Sequence, residues 1–444
     1  MFPNPQDSLP LPSRPNLEQY KKLAKELVRV CKAGNRAALR EFVSGWIGHL
    51  VRLSQIEVAP NLPAQSRSWS DGVTEFATLK LLSEKRRCSL TSAQLVIARS
   101  HGFRSWPRLA EHIEQLSRRS TPVAQFEEAA DAIVAGDVPT LKRLLRENPK
   151  LVLQRSTREH HATLLHYTSA NGVEGYRQKT PKNIVEIAEH LLKSGAEVDA
   201  EADVYRGGCT TLGLAATSVH PEVAGVQDAL LQLLLDHGAA IEKPNLAGNQ
   251  HTALTACLAN GRPRAAEFLA AQGAQLDLES AAGLGRIDVV KSYFDCDDKL
   301  DARATKQQLQ KAFLWACMYG REDTVLYLLN HGADLLDRAD SGATALHWAA
   351  GGGHLSIVKL LLDRGAPLEE INQWGGTVLE HAAWGFEHGA PDTDFAAVFE
   401  TLLAAGAKIR GRWLPLLQRL KSRSQAEKKQ LAELLRRYER NRLR

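Results

Sequence analysis

The sequence predicts an all-α protein: a helical solenoid of about eight irregular repeats, preceded by a small helical domain. Three observations predict it. A leucine-rich segment closing on Gly-Ala recurs as HLLKSGA, LLLDHGA, FLAAQGA, LLNHGA, LLDRGA and LLAAGA. Their glycines, Gly195, Gly238, Gly273, Gly332, Gly365 and Gly406, are separated by 43, 35, 59, 33 and 41 residues, a period near 33–35 with insertions. Finally, 444 residues are too many for one core, which favours several domains or an array.

The clearest copy is SGATALHWAAGGGHLSIVKLLLDRGA, residues 341–366. Thr344 precedes an alanine-rich run, where its hydroxyl can accept a bond from a free N–H at a helix start. The Gly triplet 351–353 makes a turn. Leu355, Ile357, Val358, Leu360, Leu361 and Leu362 recur at helical spacing, and Gly365 suits the left-handed position that ends the helix. Two short antiparallel helices result, and neither buries its apolar face alone.

Period and motif together resemble the ankyrin repeat. Thr344, Leu346 and His347 match that family's T-P-L-H signature, with Ala345 in the proline place, and Gly353 and His354 match its helix–helix turn. The match is specific over 311–383 and looser over 123–310, where AIVAGDVPTLKRLL, TLLHYTSANG and TALTACLANGRPRAAEFLA still show both parts. A short copy, SAAGLGRIDVVKSYFD, leaves no room for a full hairpin. Three repeats carry extra residues between paired helices, VEGYRQKTPKN, VHPEVAGV and EHGAPDTDF, which are expected to protrude from one edge. By the resemblance, segments between repeats such as LEEINQWGG are hairpin fingers.

Four regions follow: a flexible N-terminus over 1–15, a basic helical domain over 16–120, the array over 121–410, and a basic helical cap over 411–444. Residues 16–60 read as helical and 58–70, VAPNLPAQSRSWS, as a loop. LTSAQLVIARSHGFRSWPRLAEHIEQL reads as helix, glycine turn, helix, with Ser105 capping and Pro107 in the first turn; it resembles a segment preceding ankyrin arrays in some bacterial proteins. The leucines of 413–444 are expected to cover the last repeat.

Apolar residues make up 44% and charged residues 24%, so most of the chain should fold. Six scattered cysteines without a C-x-x-C pair read as buried free thiols of a reducing compartment. The N-terminus lacks a secretory pattern, and no apolar run reaches the roughly 20 residues of a membrane span. The expectation is a soluble cytoplasmic protein. Residues 16–120 carry 18 Lys/Arg against 9 Asp/Glu and residues 408–444 carry 13 against 3; with the total of +5 and a balanced 1–15, these leave −14 for the array. Two basic ends flank an acidic middle.

No cofactor, metal or catalytic group is expected. His347 and His354 lie on different elements without a completing ligand set, and in the resembled repeat the first is a structural hydrogen-bonding residue. His160 and His161 read as loop or finger. In NGVEGYRQKT, Gly175 lies four residues before Lys179, whereas a P-loop needs glycine directly before lysine. No nucleophile sits beside a base.

The expected function is non-catalytic protein recognition, a scaffold role on the concave face of fingers and first helices. Trp348 and Trp315 read as core. Tyr205, Arg206, His251, Met318, Tyr319, Asp340, Ser341, Gln373, Trp374 and Trp384 fall at the variable places that face a partner in the resembled repeat. A basic, apolar protein segment would suit them. The alternative is a nucleic-acid-binding regulator. Gln94, Ala98 and Gly102 step by four as in a helix-turn-helix, and Arg99, Arg104 and Arg108 would meet phosphates. Any tight helical hairpin also wants a small residue and a glycine there.

Overall fold

A polar residue at the N-cap opens the first helix of every repeat. Thr121, Thr163, Thr210, Thr252, Asp277, Thr305, Thr344 and Thr377 occupy that place in turn. Each satisfies donors that a helix start otherwise leaves unpaired. Gly195, Gly238, Gly273, Gly332, Gly365 and Gly406 all adopt φ between 80° and 101° after the second helices. A Cβ at any of them would meet nothing within 4 Å, so left-handed backbone and not space selects glycine.

The computed structural model describes residues 4–12, 14–53, 62–83, 88–118, 120–243, 251–389, 393–409 and 424–442, with backbone only for 62–64 and 439–442. Eight helix pairs appear among them, and the chain divides into two units, Met1–Leu269 and Ala270–Arg444. The class is all-α. No described helix is long and apolar enough to cross a membrane.

In the first unit, five N-terminal helices, Leu17–Lys32, Arg36–Leu53, Leu62–Ala77, Leu90–Ser100 and Trp106–Leu116, close over one apolar cluster. Four pairs follow: Pro122–Ala135 with Val138–Glu147, the 3-10 turn Leu164–Ser169 with Ile184–Lys193, Thr211–Thr217 with Gln227–Asp236, and Ala253–Ala259 with Pro263–Ala271.

Several expectations are corrected here. Residues 62–70 are helix and not loop, because Trp69, Val73 and Ala77 recur four apart and are buried; residues 58–61 lie outside the described residues. Over 4–12 the N-terminus is anchored: the Leu9 amide donates to Ser100 O at 2.7 Å and its side chain is fully buried. Ser105 takes the N-cap position without a side-chain bond, although Pro107 sits in the first turn as expected. Cys31 and Cys88 are disulfide-bonded, 57 residues apart, because both sulfurs converge beside Leu81 O. Cys257, Cys296 and Cys317 are free thiols, and the Cys209 thiol donates to Val204 O at 3.3 Å.

Nor does the insertion at 173–183 protrude. Glu174 and Arg177 fold inward and join Glu127 and Arg158 in a buried ionic network. Arg158 donates to Glu127 at 2.5 Å and lies 3.0 Å from Glu174; Arg177 donates to Glu127 at 2.7 Å. Burial alone would raise both carboxyls, yet the two guanidiniums hold Glu127 at about 2 and Glu174 well below the usual range. The insertion VHPEVAGV does stand out, with Val223 81% exposed, and residues 390–392 of the third lie outside the described residues.

In the second unit the pairs are Leu278–Leu284 with Ile287–Lys291, Lys306–Met318 with Glu322–Asn330, Ala345–Gly352 with Leu355–Asp363, and Val378–His388 with Phe395–Ala404. First helices pack on first helices so closely that a Cβ at Gly385 would sit 2.0 Å from Gly351 O. Fingers between repeats are single bridges, Arg338 with Thr344 and Ile371 with Thr377; in the first unit one becomes a two-residue ladder, Glu201–Ala202 against Cys209–Thr210. The helix Gln425–Arg442 buries Leu431 and Leu435 in the cluster of Phe399 and Leu402, as a cap would. Residues 410–423 lie outside the described residues.

Two outcomes test the first unit. Glu174→Ala leaves Arg158 and Arg177 with one buried carboxylate and should cost about 3–5 kcal/mol in urea unfolding; a cost below about 1 kcal/mol would mean the network is dispensable. Burial lowers His112 and His166 to about 4, so both are neutral when folded. The unfolded chain then binds the extra protons. Stability from these groups is complete above about pH 6.5 and should fall as pH drops toward about 4, by up to about 1.4 kcal/mol per pH unit for each histidine. His166→Asn should flatten that slope in a pH series of melts.

Candidate functional site

The finger preceding Val378–His388 is built around Asn372. Its buried Oδ1 accepts from the Trp374 amide at 3.0 Å and the Gly376 amide at 2.9 Å, while its own amide donates to Gly376 O at 3.0 Å. Gly375 turns at φ 77°. This side-chain-to-backbone turn pins the loop from inside, so the Trp374 ring is left 71% exposed. Gln373, also exposed, donates its amide to Ser341 O of the preceding finger at 2.8 Å. Arg338 spans the same two fingers, pairing with Glu370 and donating to Ile371 O at 3.2 Å.

Trp384 follows on the helix Val378–His388 and is 55% exposed. Its ring stacks on His388 at 4.9 Å and meets His381 at 5.7 Å, and His381 touches Trp348 edge-on at 5.3 Å. The row passes from a half-buried Trp348 through buried His381 to a solvent-facing tryptophan. Burial and then His347 lower His381 to about 4, so the row is uncharged near neutrality.

Over residues 331–390, Asp334, Asp337, Asp340, Asp363, Glu369, Glu370, Glu380 and Glu387 outnumber Arg338, Lys359 and Arg364, a net of −5. The stretch of chain that carries Trp374 and Trp384 is therefore acidic. Asp340 is exposed and Ser341 half-buried. Met318 and Tyr319 are half-buried; the Met318 carbonyl accepts from His354 Nε2 at 2.9 Å.

Other residues singled out from sequence lie in the first unit. Tyr205 and Arg206 form an exposed finger tip, with Tyr205 Oη donating to Asn171 Oδ1 at 2.7 Å; His251 is half-buried. Arg99 is held by Glu159 at 2.5 Å, Arg104 reaches the same carboxylate at 3.7 Å, and Arg108 pairs with Glu111 at 3.4 Å. The Glu127–Arg158–Glu174–Arg177 network carried no sequence signal, since its members lie up to 50 residues apart.

His347 makes backbone and cap bonds. The Thr344 amide donates to Nδ1 at 3.2 Å and Oγ1 lies 2.9 Å from the same nitrogen, which leaves Nε2 to donate to Gly376 O at 3.3 Å. His166 repeats the pattern with Thr163 and Cys209 O. Among the described residues no group of three or more His, Cys, Asp or Glu could hold a metal. His347→Ala should therefore cost about 1–3 kcal/mol in thermal unfolding. Stoichiometric zinc in the purified chain would overturn this assignment.

Residues 278–373 and 314–409 match the family model for ankyrin repeats (3 copies). No curated protein matches the chain significantly. Among solved structures, the human ASB11 ankyrin repeat domain is 23% identical, the match covering 64% of this chain and 99% of that one, with a TM-score of 0.33 too low to carry an argument. With the recurring caps and the finger-to-histidine bond already described, the family match identifies residues 278–409 as ankyrin repeats.

Proposed function

We propose that the second unit binds a partner protein through the fingers and first helices around Trp374 and Trp384. Ankyrin repeats are in general protein–protein interaction modules, and the fold is typically a non-catalytic scaffold. The observation that carries the finer reading is Trp374. A tryptophan 71% exposed at a finger tip, beside another 55% exposed, contributes little to folding. Exposed tryptophans are common anchors of interfaces. The surrounding acidic residues favour a basic, apolar segment, and a tip pinned by Asn372 loses little entropy on binding.

The nucleic-acid reading of Arg99, Arg104 and Arg108 draws less support. Arg99 is engaged by Glu159, and Arg104 and Arg108 each have a carboxylate within 4 Å. These carboxylates compete with phosphate for the same guanidiniums.

Affinity capture from the source cell followed by mass spectrometry identifies partners, and the variant then tests the face. Trp374→Ala should leave the melting temperature nearly unchanged and weaken capture by about tenfold or more, in line with roughly 2–4 kcal/mol for a central aromatic anchor. Unchanged capture would place the interface elsewhere.

A further inference from the structure

Residues 4–12 read NPQDSLPLP, with Pro5, Pro10 and Pro12 stiffening the backbone. Asn4, at φ −67° and ψ 153°, and Ser8, at φ −65° and ψ 133°, flank the single turn Pro5–Asp7 with polyproline II geometry. Leu9 and Leu11 each precede a proline, which favours extended backbone at both. Residues 8–12 accordingly take neither helix nor strand.

This segment lies in a seat built by two loops distant in sequence. The first is Ser100, His101 and Gly102, at the turn between the helices Leu90–Ser100 and Trp106–Leu116. The Leu9 amide donates to Ser100 O at 2.7 Å, and His101 Nδ1 donates to the Leu9 carbonyl at 3.1 Å. Burial lowers His101 to about 3, so the ring is neutral and keeps its one proton on Nδ1. A Cβ at Gly102 would come 2.8 Å from Ser8 Oγ. The second loop is the inward-folded insertion, where a Cβ at Gly175 would come 2.4 Å from Gln6 O. Both glycines admit a close approach of another stretch of chain. Leu9 is fully buried in the five-helix cluster, and Leu11 packs against it partly buried. An amide and a carbonyl bonded at one residue, its side chain in an apolar socket and prolines close by are how a groove holds an extended peptide.

The segment also borders open space. Asn4, Pro5 and Ser8 line a cleft of about 950 Å³, Gln6 lines one of about 520 Å³, and Tyr205 lines both. Residues 4–8 fill neither.

We propose that this groove docks a proline-rich, extended segment of a partner protein through a Leu-Pro pair, and that residues 4–12 are its occupant within the chain, exchanged when the partner binds. The seated segment supplies the chemistry: leucine for the socket, proline after it, and one amide and one carbonyl for Ser100 O and His101. A partner gains over it by continuing into the two clefts. Exchange orders little new chain, because proline-rich segments favour polyproline II when free. The proposal uses no residue around Trp374 and Trp384, so it and the second-unit reading can fail separately.

The test is fluorescence anisotropy of a labelled NPQDSLPLP peptide titrated with the full chain. In the parent the tethered segment competes at an effective concentration on the order of 1 mM, so binding should be weak. In Leu9→Ala the tethered segment no longer fills the socket. The peptide should then bind at one saturable site, about tenfold or more tightly than to the parent, and should raise that variant's melting temperature. A peptide with alanine in place of its leucine should bind neither chain. Hydrogen exchange of the unaltered chain needs no variant: the Leu9 amide should exchange about tenfold or more faster than the slowest amides of the helix Leu90–Ser100, because the segment leaves its seat while the helices stay folded. If Leu9→Ala does not fold, this measurement decides. No peptide binding to a folded Leu9→Ala chain, equal binding to variant and parent, or a Leu9 amide as slow as the helix overturns the proposal and makes residues 4–12 a permanent part of the core.

Discussion

Short helices cannot stand alone, and everything in this chain follows from that. Three first helices are only seven residues long, well under the length at which an isolated helix persists in water. Each is rescued at its start by a cap and on its faces by the next repeat. The Thr–His pairs join both remedies. Thr344 and His347 close the first turn of their own helix, and the far side of the imidazole reaches Gly376 O of the following finger. One side chain thus caps a helix and sets where the next finger lies. A single unsatisfied position would be felt by two repeats.

The first unit solves a different problem. Its N-terminal helices and first repeats bury two arginines and two glutamates together. Taking these ions out of water is costly, and their mutual attraction offsets this only with good geometry. Glu127 bonds both arginines through separate oxygens, and Arg177 further lies over the rings of Tyr167 and Tyr176. Apolar replacements of such buried ions are often neutral or stabilising; what ions add is direction, since each must face a partner of opposite charge. Glu174 also lies 3.3 Å from His160 Nε2, and the His160 carbonyl accepts from the Asp203 amide, which ties the network to the finger where Tyr205 and Arg206 hold positive φ.

In the second unit the core is apolar and regular, and variation is pushed outward. Asn372 holds the finger from within, so Trp374 has no structural duty. Trp384 grows out of a packed row of rings formed by half-buried Trp348 and buried His381. A stiff base with exposed aromatic ends is a surface already arranged before a partner arrives, and this links the packing of the repeat to the proposed recognition.

The sequence by itself determined the repeat. Threonine before an alanine-rich run, glycine after a leucine-rich one and a period near 33 residues are local signals, because caps and left-handed turns are decided within a few residues. The same locality made the exposure of Trp374 legible from Gly375 and Gly376. Where the signal was long-range, sequence reasoning failed. The helix over 62–70 owes its place to burial of Trp69 against other helices, and the pairing of Cys31 with Cys88 to the meeting of distant segments at Leu81. The insertion at 173–183 looks like a solvated loop by composition, and only the tertiary structure supplies the buried carboxylate and guanidinium that draw Glu174 and Arg177 inward. Charges reveal their partners only in three dimensions, because attraction depends on distance through space and on the water excluded from between them.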